Sequence, residues 1–223
     1  MPAVQPGAAP RGAAARVAAP VAAPVAALAA IGTSGLRAHN RRVHYRSDDA
    51  QPWNVVAIAR DRVIGKALAR LRGHGEFRTT GYPRVLVGEV GDPRAFAGEA
   101  AADEASWSSL VQKLIPIDHS SVFERDDVTE NLCVALAGVG PRLAGRSFYV
   151  RARLRGMKGR LEHPAVERAL GAFLVDRAAA AGEPAAVRFS DVDFVVAVEV
   201  VGARAGYALL DREMRASPLL HVR

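Results

Sequence analysis

Three arginines spaced two apart, Arg151, Arg153 and Arg155, carry the most conspicuous chemistry in this chain, because strand spacing puts them on one face together with Tyr149. The intervening Phe148, Val150, Ala152 and Leu154 are apolar and belong on the core side. This strand runs into Gly156-Met157-Lys158-Gly159-Arg160, and no acidic residue interrupts the stretch from Arg146 to Arg160. A row of cations beside one aromatic ring suits contacts to successive phosphates, with a base or ribose stacked on Tyr149. Gly156 and Gly159 lack a Cβ and so let a ligand approach the backbone closely, with Lys158 and Arg160 beside them. The same pattern also fits an exposed strand whose arginines pair with Glu162, Glu167 or Asp191 and keep a sheet soluble, ending in an ordinary turn.

Other groups of reactive types carry less. Asp118-His119-Ser120-Ser121 holds the residue types of a hydrolytic triad, but immediate neighbours are poorly placed for triad geometry. A helix start capped by Ser120 or Ser121 accounts for them better. Asp191 and Asp193 lie between two strands, where an Asx-type turn is the expectation. Asp61-Arg62-Val63-Ile64-Gly65-Lys66 has a faint look of dihydrofolate reductase that nothing downstream supports. The histidines show no pair at metal-ligand spacing in the folded region, so no metal and no cofactor are expected. Cys133 is the single cysteine and sits in a helical apolar pattern, which predicts a buried structural thiol and a reducing, cytoplasmic setting.

The elements that must position the basic strand follow from periodicity. Trp53 to Ala59 reads as a buried strand, and Ile64, Leu68 and Leu71 recur at helical spacing up to Gly73. Phe77 to Thr80 and Val85 to Val90 are two further strands, after which Asp92-Pro93 opens a helix with cap and first-turn proline in the expected order. Leu114 to Asp118 is a short extended stretch. From Glu124 onward Val128, Leu132, Leu136 and Val139 make a helical pattern closed by Gly140 and Pro141. After the basic strand, Pro164 starts a helix running to Gly182, and Val187-Arg188-Phe189 is a short strand. Phe194 to Val201 is a nearly continuous apolar strand, expected to be central and covered on both faces. Gly202 to Gly206 turns into a final strand at Tyr207.

Residues 1–52 are built largely from Ala, Pro, Gly and Arg and are expected to form a disordered leader. The formal net charge is +7, and over half of it lies in the first fifty residues, where Arg11, Arg16, Arg37, Arg41, Arg42 and Arg46 face only Asp48 and Asp49. The rest of the chain is mildly basic, so the clustering around Arg153 is more informative than the total. Neither a signal peptide nor a twin-arginine export signal fits this leader, and no segment is long and apolar enough to suggest a membrane partner.

The order of elements and several local motifs together resemble the THUMP-domain family, specifically its compact members of the tRNA cytidine acetylation adaptor type. The resemblance is carried by Leu114-Ile115-Pro116-Ile117-Asp118, by Ser147-Phe148-Tyr149-Val150-Arg151 leading to Arg155-Gly156, by Phe189-Ser190-Asp191-Val192-Asp193, and by Val198-Glu199-Val200-Val201-Gly202. It implies an α+β protein, with a ferredoxin-like domain over 53–106 followed by a THUMP-type α/β domain over 107–223. It further implies RNA binding, with tRNA as the partner and a separate tRNA-modifying enzyme supplying the chemistry. No Gly-rich methyltransferase loop follows a strand, and no Ser-Gly-Gly pyrophosphatase loop occurs. The chain is therefore expected to be a non-catalytic adaptor rather than an enzyme, with Tyr149, Arg151, Arg153, Arg155, Gly156, Lys158, Gly159 and Arg160 contacting RNA. The alternative is a protein–protein interaction module with a solubilising basic face.

Overall fold

The computed structural model describes residues 51–123 and 127–222. The expected leader lies, up to residue 50, outside the described residues, as do residues 124–126. The chain begins with β1 (Val55–Ala59), α1 (Ile64–Arg72), β2 (Glu76–Thr79), β3 (Val85–Glu89), α2 (Pro93–Ala102), α3 (Glu104–Ser108) and β4 (Val111–Pro116). The four strands form one sheet in the order β2-β3-β1-β4, with every neighbouring pair antiparallel. β1 is central and apolar on both faces, which is what its unbroken Val-Val-Ala-Ile-Ala run demands. α2 starts as its sequence requires: the Asp92 carboxylate accepts from the Arg94 and Ala95 N–H groups at 2.9 and 3.0 Å, and Pro93 occupies the first turn. The boundary expected at residue 106 falls before this sheet is complete, because its edge strand is β4.

The second half contains β5 (His119–Val122), α4 (Val128–Leu136), β6 (Ser147–Arg155), α5 (His163–Ala180), β7 (Ala186–Val187), β8 (Phe194–Val201) and β9 (Arg204–Leu210). They build a second sheet in the order β5-β9-β8-β6-β7, parallel where β6 meets β7 and β8 and antiparallel elsewhere. β8 is the central strand, and every residue after Phe194 in it is buried. Ser120 and Ser121 belong to β5 instead of capping a helix. Ser120 Oγ donates to the Trp53 carbonyl at 2.7 Å and Ser121 Oγ to Asn131 Oδ1 at 2.9 Å. β5 forms because its backbone pairs with β9, some eighty residues away, a contact that no local pattern reveals. β9 likewise begins earlier than expected, at Arg204, since Gly202, at φ 63°, and Ala203 complete the turn in two residues. Phe189 falls outside β7, which ends at Val187.

Three cores stack through the molecule. Leu71, Phe77, Phe96, Trp107 and Leu114 fill the space between α1, α2, α3 and the first sheet. Phe148, Val150, Ala152 and Leu154 join Leu132, Leu136, Leu170 and Leu174 between the second sheet and α4 and α5. Val56, Val85 and Ile115 meet Val195, Ala197 and Leu210 in a third core, so the two sheets pack face to face. Cys133 is buried in the α4 layer, and burial, with Glu130 nearby, pushes its thiol up to about 11, which keeps it unreactive.

Candidate nucleic-acid interface

The alternation of β6 fixes where its cations go. Its apolar side chains lie in the α5 layer, so Tyr149, Arg153 and Arg155 point toward the first sheet, while Arg151 reaches Glu167 of α5. The basic face opposite the core is therefore one wall of a cleft between the sheets. Ile58, Arg84, Val85, Lys113 and Ile115 line the opposite wall, and Arg215 and His221 of the C-terminal segment flank it, bounding a half-open space of about 730 Å³. Its walls carry five Arg or Lys side chains (Arg84, Lys113, Arg153, Arg155, Arg215) against one carboxylate, Glu199. That carboxylate is already paired with Arg155.

The cations differ in what holds them. Arg155 forms a salt bridge to Glu199, whose side chain is 2 % exposed, so Arg155 is first a structural counter-ion. Burial pushes the Glu199 carboxyl up, and Arg155, then Arg153, hold it down. Arg153 lies opposite Glu199 in the β6–β8 register, and its guanidinium is shifted down, first by burial and next by Arg151. It stays charged, because a guanidinium is not deprotonated in proteins. Arg151 stands 3.5 Å from Glu167, one of the acidic partners that the solubilising alternative named. Lys113 Nζ donates to the Pro218 carbonyl at 2.9 Å, and Arg84 meets Asp61 at 3.5 Å across an exposed surface.

Beyond Phe148 the outer edge of β6 has no strand beside it, because β7 is only two residues long. Side chains from α5 take its N–H groups instead: Ala152 donates to Glu167 Oε1 at 2.9 Å and Leu154 to His163 Nε2 at 3.2 Å. At the strand's start, Asp193 Oδ2 accepts from both the N–H and the hydroxyl of Ser147. The backbone bond first, and the hydroxyl second, hold the Asp193 carboxyl below its ordinary range. The Asp118 carboxylate is clamped by Arg94 at 2.8 Å and by the Leu209 N–H at 2.8 Å, so with Ser120 and Ser121 it makes no nucleophilic centre. Among the described residues no group of three His, Cys, Asp or Glu is placed to hold a metal ion. No helix among them is long and apolar enough to cross a membrane.

The glycine loop behaves differently from a ligand cradle. Met157 is 1 % exposed and plugs the loop into the α5 layer, leaving Lys158, Gly159 and Arg160 exposed and outside the cleft lining. Gly156 permits a close approach at φ 91°, but it is the Tyr82 hydroxyl that makes it. A Cβ at Gly156 would collide with that hydroxyl, so Gly156→Ala is expected to lower stability by about 1–3 kcal/mol, through backbone strain and the displaced Tyr82. Urea denaturation measures it, and an unchanged midpoint would contradict the packing of the loop on Tyr82.

A second recess of about 440 Å³ adjoins the cleft, sharing Arg215 and His221 with it. Tyr149, Arg151, Glu167, Phe189 and Asp191 line it. Arg84, Lys113, Arg215, Glu199 and Phe189 are thus site residues that sequence reasoning missed. Only Glu199 left a signal: a lone carboxylate in a strand buried on both faces requires a buried cation.

No protein-family model matches the chain, and no curated protein matches it in sequence. Its fold is similar to several solved structures. These include TrmN from Thermus thermophilus (25 % identity, TM-score 0.48, 70 % of this chain and 44 % of that one) and PH1313 from Pyrococcus horikoshii (11 %, 0.47, 70 % and 53 %). A 4-thiouridine synthetase in complex with RNA and bound ATP is also among them (14 % identity, TM-score 0.44, 71 % and 41 %). The chain therefore spans about half of these structures' length or less. Three further matches are described as a predicted DNA methylase, a putative methyltransferase complexed with SAH and a possible methylase. Methylases, a methyltransferase and a thiouridine synthetase are thus among the structures similar to this chain, and they stand against the expectation of a non-catalytic adaptor that is not an enzyme.

Proposed function

We propose that this chain binds RNA in the cleft between its two sheets and is the RNA-holding part of an RNA-modifying enzyme, with tRNA as the substrate class. The observation that carries the reading is the gathering of five cations around a single, already paired carboxylate in one cleft. A polyanion neutralises that excess where a small neutral ligand would not. The β-α-β-β-α-β order of the first sheet, with its outer strands β2 and β4, supports a ferredoxin-like unit. The second sheet would then be the THUMP-type unit, with its Phe-x-Val-Arg strand as β6. In this reading Arg153, Lys113 and Arg84 meet phosphates, Arg155 and Arg151 hold the wall in shape, and Lys158 and Arg160 lie to one side.

Anisotropy with labelled total tRNA tests it. Binding is expected to weaken with salt, with a log–log slope of about −2 to −3 for roughly three phosphates met. Binding that ignores salt, or no binding at low salt, overturns the reading and favours a protein-interaction surface.

A further inference from the structure

Phe189 is 83 % exposed, yet the loop that displays it is tightly tied. Arg188 N–H donates to the Phe148 carbonyl and Asp193 N–H to the Ser147 carbonyl, both at 3.0 Å, so the loop is fastened to β6 on either side of the ring. Arg215 Nη2 donates to the Val192 carbonyl at 2.6 Å, and Val192 itself is 2 % exposed. Arg212 holds the Asp191 carboxylate at 2.7 Å and its carbonyl at 3.3 Å. One exposed apolar ring is ordinary on a protein surface, but this ring is held by a fixed frame and does not stand alone. Its neighbour is Tyr149, with centroids 6.2 Å apart and planes 37° apart, and the Tyr149 hydroxyl is anchored on the Val222 carbonyl at 3.2 Å. Both rings line the 440 Å³ recess, which leaves room for a planar heterocycle.

We propose that Phe189 and Tyr149 form a stacking subsite for one unpaired nucleobase of the RNA whose phosphates occupy the adjoining cleft. The inference rests on the RNA-binding reading, because the two recesses meet at Arg215 and His221. A strand with phosphates in the cleft can turn one base into the recess without leaving the basic surface. A base inside a duplex has both faces covered by its neighbours and cannot stack on a protein ring, so the subsite selects single-stranded or looped RNA.

The test uses the full chain with a fluorescein-labelled single-stranded 12-mer of RNA and a blunt RNA duplex, read by anisotropy at fixed salt. Phe189→Ala is expected to lower affinity for the single strand roughly ten-fold and leave duplex affinity and the salt slope unchanged, whereas Phe189→Trp keeps single-strand affinity. With the unsubstituted protein, a 2-aminopurine placed in the single strand is expected to lose emission on binding as it stacks. If the protein binds both RNAs but Phe189→Ala weakens neither, or both equally, the stacking subsite is wrong and the cleft reading stands. Unchanged 2-aminopurine emission on saturation is also against the subsite. If neither RNA binds, the cleft reading fails and the subsite with it.

Discussion

Arg155→Ala is expected to lower stability by about 3 kcal/mol near neutral pH, more than any other single change among the cleft arginines. The reason is what it leaves behind. Glu199 is 2 % exposed, sits in the middle of the central strand β8, and would lose its salt-bridge partner. The loss is placed at the lower end of the range for broken buried pairs because Arg153, opposite Glu199 in register, still faces the carboxylate. Burial already pushes the Glu199 carboxyl up, and removing Arg155 takes away the strongest opposing influence, so in the variant it rises further. A carboxyl raised in the folded state contributes stability that is fully present below its unfolded value of about 4.3 and is lost as pH rises through the folded value. The deficit of the variant against the unsubstituted protein must therefore shrink between about pH 7 and pH 5. Urea denaturation at both pH values measures this, and an equal deficit at both would show that Glu199 is not left as a buried charge. The double variant Arg155→Met with Glu199→Leu, which removes both charges and keeps the volume, is expected to return to within about 1 kcal/mol of the original stability.

That pair also shows where sequence reading stops. The period-2 pattern of β6 places Phe148, Val150, Ala152 and Leu154 in a core, and all four are buried. The same pattern says only that Arg151, Arg153 and Arg155 share the other face, and in a lone sheet that face meets water. Whether a second sheet lies across it depends on Val56, Val85 and Ile115, roughly a hundred residues or less before β6, and on their contact with Val195, Ala197 and Leu210. Such contacts leave no periodic trace. For the same reason nothing in the sequence marks Lys113 and Arg84, which line the cleft with Arg153. The first helices and central strands were legible because their cues are local: Asp92-Pro93 caps α2, and eight nearly unbroken apolar residues make β8. β5 was not legible, because its partner β9 is distant and Asp118-His119-Ser120-Ser121 carries polar residues typical of a turn or a helix cap.

The cleft and the glycine loop make opposite forecasts for RNA binding, and charge reversal separates them. Arg84→Glu with Lys113→Glu replaces two cations on the first sheet's wall, so the double variant is expected to bind tRNA about a hundred-fold more weakly at moderate salt, with a slope shallower by about two units. Lys158→Glu with Arg160→Glu changes the same charge on the exposed loop, outside the cleft lining, and is expected to weaken binding only a few-fold, because phosphates beyond a Debye length of roughly 10 Å are screened from it. Neither double variant should unfold the protein. The pair of Arg84 with Asp61, 78 % exposed, lies in water, and Lys113, at the edge strand β4, gives up an exposed bond to the Pro218 carbonyl. Anisotropy titrations over a range of potassium chloride concentrations, with melting curves alongside, give affinity and slope together. A larger loss for the loop variant than for the cleft variant would move the RNA off the inter-sheet face and onto the Gly156–Arg160 turn, and the five-cation cleft would then need another polyanion to explain it.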